Sequence, residues 1–177
     1  RALRRAGLPI GYSSGFNPRP SIAWGPPIQL GIGSICEMAD LDMNGWVKPA
    51  DVMQKLNAML PKGFEILEAK LDDPGGKSLA SSLNRAEYSI EIGSDDLAAL
   101  RTKIAEILKM ERIEVPSKEK VMDKRPLLHG LSLNDSSLHI LLLSEVGNRG
   151  TLKPKEILAL IPGIKVKNIT RTKLFVS

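Results

Sequence analysis

Alternation and helical spacing divide the chain into two sections built on one plan. In the later section Tyr88, Ile90 and Ile92 alternate with Glu87, Ser89 and Glu91, which predicts a strand with one wet face. Ser94 then caps a helix carrying Asp95 and Asp96 in its first turn, and Leu97, Leu100, Ile104, Ile107 and Leu108 form its apolar stripe. From Arg112 to Lys124, Pro116 and the charges at 117–120 fit a short strand and an excursion. Leu127, His129, Leu131 and Leu133 alternate up to a hairpin turn at Asn134-Asp135-Ser136-Ser137, and Leu138 to Val146 returns as a central strand, apolar on both faces. Pro154 opens a short helix through Ile161, and Val166 to Val176 closes as a strand.

The earlier section reads more coarsely. Ser21 to Ile35 predicts an edge strand bent at Pro26 and Pro27, with Cys36 to Met43 as its partner. After the turn at Asn44-Gly45, Pro49 opens a helix with Val52, Met53, Leu56, Met59 and Leu60 on one face. Pro61, Lys62 and Gly63 end it, and Phe64 to Leu71 reads as a strand. Asp72 to Ser82, with its Pro-Gly-Gly and small polar residues, marks a linker.

Strand, helix, strand, strand, helix, strand is the split βαβ order. The expected fold is therefore α+β: two ferredoxin-like (βαββαβ) halves, the first lacking its opening strand. Residues 1–72 form the first half, 73–85 the linker and 86–177 the second half.

Composition narrows the functional classes. The chain has 177 residues, a net charge of +5 and a pI near 9.4, a balance that favours an acidic partner, most simply nucleic acid. Its longest apolar runs are too short to span a bilayer and no secretory signal opens it, so the expected compartment is the cytoplasm. The single cysteine, Cys36, excludes an internal disulfide framework and a protein-only cysteine cluster. The first residue is not methionine, and RALRRAG reads as the end of a helix stopping at Gly7, which predicts a further piece upstream.

One stretch gathers unusual chemistry. From Gly7 to Glu37 lie six of the fifteen glycines and five of the twelve prolines, with Tyr12, Phe16 and Trp24 between them. No acid precedes Glu37, whereas Arg1, Arg4, Arg5 and Arg19 are basic. Such a segment is a shaped loop, and a cationic loop with aromatic faces suits an anionic, flat ligand; the alternative is a connection whose aromatics pack on the core. Candidate anion contacts are Arg5, Tyr12, Phe16, Asn17 and Arg19 from this run, with Arg125, Arg149 and Arg171 at later element ends. Glu37 is a candidate to pin the loop by pairing with Arg19 or Arg5.

Other signals are weaker or absent. No aromatic RNA-recognition strand, phosphate loop or dinucleotide fingerprint is present. His129 and His139 lie in opposite strands of the predicted hairpin and admit an RNA-cleaving role or a structural one. Asp40 and Asp42 share a strand face without an evident third oxygen ligand for a cation. The residues suggest no cofactor and no resident metal.

The opening RALRRAGLPIGYSSGFNPRPSIAWGPPIQLGIGS, followed by Cys36 and Glu37, resembles a bacterial family of uncharacterised radical-SAM-linked proteins. DKRPLL, GTLKPKEIL and ITRTKL are similar to that family's later segments, with Lys153 where arginine is usual. The resemblance implies an accessory role beside a radical SAM enzyme encoded adjacently or fused, and a strand and FLSHLD-like segment ahead of RRAG that this chain lacks. The leading expectation is a non-catalytic accessory module that binds RNA or another anionic substrate for that enzyme. The alternatives are a metal-independent RNA endonuclease of the paired ferredoxin-like type and a pure protein-docking domain.

Overall fold

The computed structural model describes residues 2–71, 78–93, 96–116, 121–134, 136–147 and 150–176. Ser94, Asp95, Asp135, Arg149, the charges at 117–120 and positions 73–77 of the expected linker lie outside the described residues. The elements are α1 (Ala2–Arg5), β1 (Ile22–Trp24), β2 (Gly33–Ser34), β3 (Ala39–Leu41), α2 (Pro49–Asn57), α3 (Leu79–Ser82), β4 (Leu83–Gly93), α4 (Leu97–Lys109), β5 (Glu114–Pro116), β6 (Val121–Asp123), β7 (Leu128–Asn134), β8 (His139–Glu145), α5 (Pro154–Leu158) and β9 (Lys165–Val176). This is a mixed α/β chain in two compact units: Arg1–Trp24 with Ala39–Ser81, and Gly25–Met38 with Ser82–Ser177.

The second unit is a five-stranded sheet in the order β2-β9-β4-β8-β7. Four of its strands pair antiparallel, while the short β2 joins the β9 edge in parallel. Along the chain β4, α4, β7, β8, α5 and β9 follow the expected order, with the β5–β6 hairpin inserted after α4. Ala86, Tyr88, Ile90 and Ile92 of β4 turn inward with Leu131, Ile140 and Leu142. They pack on Leu100, Ile104 and Ile107 of α4 and Ile157 of α5, as period-2 and period-3.6 patterns require of a sheet backed by helices. The N-cap of α4 is Asp96, whose carboxylate accepts from the Ala99 N–H at 2.9 Å, not the expected Ser94. Helix α5 ends at Leu158, short of Ile161.

The first unit has a small core of Leu8, Ile10 and Leu56, ringed by half-buried residues such as Val52 and Ile66. Its sheet is the two-stranded β1–β3 pair. Two expected strands are corrected here. Ser21 to Ile35 is not one strand: β1 stops at Trp24, ahead of Pro26 and Pro27, and β2 pairs with β9 instead. Phe64 to Leu71 is irregular, because the Asn57 side-chain amide takes the place of a strand partner. It accepts from the Ile66 N–H at 2.7 Å and donates to the Ile66 carbonyl at 3.1 Å. The expected linker also contains α3 and the start of β4.

Leu142 is fully buried whereas its neighbour Leu141 on the other sheet face is half-buried. Leu142→Ala is expected to cost about 2–5 kcal/mol in urea denaturation and Leu141→Ala clearly less.

Candidate functional site

In the first unit the opening run folds as a hairpin. Tyr12 bridges Pro20, the Ser21 N–H donates to the Gly11 carbonyl at 2.8 Å, and the Ser13 N–H donates to the Arg19 carbonyl at 2.8 Å. The Arg19 N–H returns a bond to Ser13 Oγ at 3.1 Å. The base is held against β3, with the Gly11 N–H donating to the Asp42 carbonyl at 2.7 Å and the Ser21 hydroxyl bonded to the Asp42 carboxylate. A Cβ on Gly11 would lie 3.3 Å from Asp42 atoms, closer than an ordinary contact, so a side chain there would push the two segments apart by a few tenths of an ångström. Gly15 turns the tip at φ +123.

That tip leaves Phe16 wholly exposed, with Asn17 and Arg19 exposed beside it in sequence. The alternative in which the aromatics pack on the core is overturned. All five rings of the unit, Tyr12, Phe16, Trp24, Trp46 and Phe64, are between 45 % and 107 % exposed. Leu67 and Leu71 are exposed with them. Sequence reading did not single out Trp46 and Phe64; the irregular backbone around them offers no sheet face to bury a ring.

Two of the candidate arginines are engaged by backbone of their own units. Arg5 donates to the Met59 carbonyl at 3.0 Å, just past the end of α2. Arg125 donates from Nε to Met110 O at 2.8 Å and from Nη2 to Leu108 O at 2.9 Å, at the end of α4, and from Nη1 to Leu128 O at 3.3 Å. Both guanidiniums satisfy carbonyls left over where a helix stops, which the helix dipole also favours. Among the described residues Arg19 has no ion-pair partner, and Arg149 lies outside them.

Arg171 has the most distinctive surroundings in the second unit. It is fully buried on β9, on the same face as Ile169 and opposite Tyr88 of β4. Its Nε donates to Glu37 at 2.9 Å, Nη2 donates to both Glu37 carboxylate oxygens, and Nη2 also reaches the Pro26 carbonyl at 2.9 Å. Glu37 therefore pins its segment, but through Arg171 and not through Arg19 or Arg5. The Ile35 N–H donates to Arg171 O at 3.1 Å, Gly25 N–H closes on Met38 O at 3.0 Å, and Gly25–Met38 forms a strap along the β9 edge. Burial pushes the neighbouring Cys36 thiol and Tyr88 phenol above their ordinary values, against the pull of the Arg171 charge.

Elsewhere, His129 Nε2 is hydrogen-bonded to the buried Glu145 at 2.8 Å, and His139 Nδ1 to Ser89 Oγ at 2.7 Å. Ser78 donates to Asp40 at 2.6 Å, and no group of three potential metal ligands occurs among the described residues. No described helix is long and apolar enough to cross a membrane.

A family model described as "Uncharacterized protein conserved in bacteria (DUF2344)" matches residues 1–154. No curated protein and no solved structure matches the chain.

Glu37→Ala leaves a buried guanidinium without its carboxylate and is expected to cost about 3 kcal/mol or more in urea denaturation, with faster proteolysis within 25–38. Arg171→Lys should not restore the wild-type value, since one ammonium cannot reproduce the forked contact. At pH 8 a thiol reagent should modify Cys36 more slowly in the folded chain than in urea, because the raised pKa leaves less thiolate. That gap should narrow as pH rises through the folded pKa.

Proposed function

The chain belongs to the DUF2344 family of uncharacterized proteins conserved in bacteria, and we propose that it is a non-catalytic accessory module for a radical SAM enzyme, with its first unit as the docking surface. One observation carries the reading: every aromatic side chain of that unit lies outside its core. Aromatic rings are the residues a small core most gains from burying, and exposed they become the usual anchors of protein interfaces. Exposed Leu67 and Leu71 add aliphatic area on the same unit that a protein partner could cover. The radical SAM partner is supported by the resemblance of the RRAGLP–GFNPRP run. A ferredoxin-like half is supported by the strand order of the second unit.

Binding of RNA or another anionic substrate is the second reading. The specific observation in its favour is the exposed Arg4 and Arg19 in a run free of acids up to Glu37. It loses support where Arg125 and Arg171 are concerned, because both are engaged within the fold. Endonuclease chemistry has less: each histidine is already bonded to a neighbouring side chain.

The test is binding of the full chain to the radical SAM protein encoded beside it, measured by interferometry. Association that survives about 0.5 M salt, where exposed charge pairs are screened, is expected. Trp46→Ala and Phe64→Ala should each weaken it about fivefold or more. No association would end the reading. Steeply salt-dependent binding to RNA alone, lost in Arg19→Ala, would move it to the nucleic-acid alternative.

A further inference from the structure

We propose that Phe16 is the anchor of this docking surface: the hairpin tip inserts its ring into an apolar pocket of the partner protein, and Arg19 meets carboxylates on the pocket rim. The inference rests on the accessory-module reading and gives it a contact residue and a partner chemistry. Three observations support it.

First, the ring is wholly exposed, so its burial is left to another molecule. Second, the tip is preorganised. Two bonds join Ser13 and Arg19 across the neck, the Tyr12–Pro20 bridge lies below them, and Pro18 and Pro20 fix two backbone angles on the returning strand. A ring presented from a stiff hairpin loses little conformational freedom on insertion. Third, the charge is one-sided. Arg19 is the single charged residue from Ser13 to Ser21, it has no ion-pair partner among the described residues, and the nearby Asp42 carboxylate is bonded to the Ser21 hydroxyl. An acidic rim complements this tip and a basic one repels it.

Single-stranded nucleic acid would also accept a ring and a guanidinium, since bases stack on aromatics. Protein is favoured because the same unit exposes Leu67 and Leu71, which offer no stacking face to a base but fit an apolar protein surface.

The experiment measures binding kinetics of the full chain to the adjacent radical SAM enzyme. Phe16→Ala is expected to weaken binding about 30-fold or more, chiefly through faster dissociation, while Phe16→Leu retains part of the affinity. Arg19→Glu should slow association and change its salt dependence. Phe16 makes no packing contact to lose, so the urea midpoint of Phe16→Ala should match wild type. If Trp46→Ala and Phe64→Ala weaken binding but Phe16→Ala does not, the anchor is wrong and the docking function stands. If wild type does not bind the enzyme at all, both fall. If Phe16→Ala instead abolishes binding to a single-stranded oligouridylate and leaves enzyme binding intact, the protein pocket is overturned in favour of base stacking.

Discussion

The second unit depends on the buried charge of Arg171 being answered through its Nε and Nη2, while its Nη1 makes no hydrogen bond among the described residues. Arg171 has no exposed surface, and in an apolar setting an uncompensated guanidinium costs several kcal/mol. The compensation comes from far along the chain: the carboxylate of Glu37 and the carbonyl of Pro26. Meeting that requirement fixes the course of Gly25–Met38, and with it the parallel pairing of β2 on β9 and the close of Gly25 on Met38. The strap lies between β1 and β3 in sequence but folds with the second unit, because only there does Glu37 find its charge.

The same requirement bears on Arg5 and Arg125, which the sequence offers as anion contacts beside Arg171. Arginine at the end of an element signals an acceptor nearby, and sequence does not tell whether that acceptor is a ligand or the backbone. Arg5 and Arg125 both find helix-end carbonyls, which are partial negative charges already present in the fold. Arg171 is betrayed by its position: it follows Ile169 at strand period on β9, so it faces inward with that residue. Glu37 was legible as a pin because it is the first acid of the chain, but its partner was 134 residues away, beyond any local pattern.

How much was legible tracks how strongly each segment is buried. The alternation at Tyr88, Ile90 and Ile92 and the stripe of Leu100, Ile104 and Ile107 placed β4 and α4, because each pattern records a real apolar face. In the first unit the alternation of Phe64 and Ile66 with Glu65 and Leu67 looked the same on paper, yet Ile66 faces the core and Phe64 is exposed. An apolar residue that serves a surface is indistinguishable in sequence from one that serves a core. The strand was inferred from residues whose apolar side chains are mostly exposed.

That ambiguity also decides the reading of the site. The first unit buries little more than Leu8, Ile10 and Leu56, a core small enough that each added ring would raise its stability noticeably. Five rings are available within the same unit, and all five are left in water. Stability alone pulls the other way, since an exposed ring contributes little to folding and raises the risk of aggregation. A thin core beside so much unburied aromatic surface is the feature on which the docking proposal rests, whereas the second unit has an extensive core of its own.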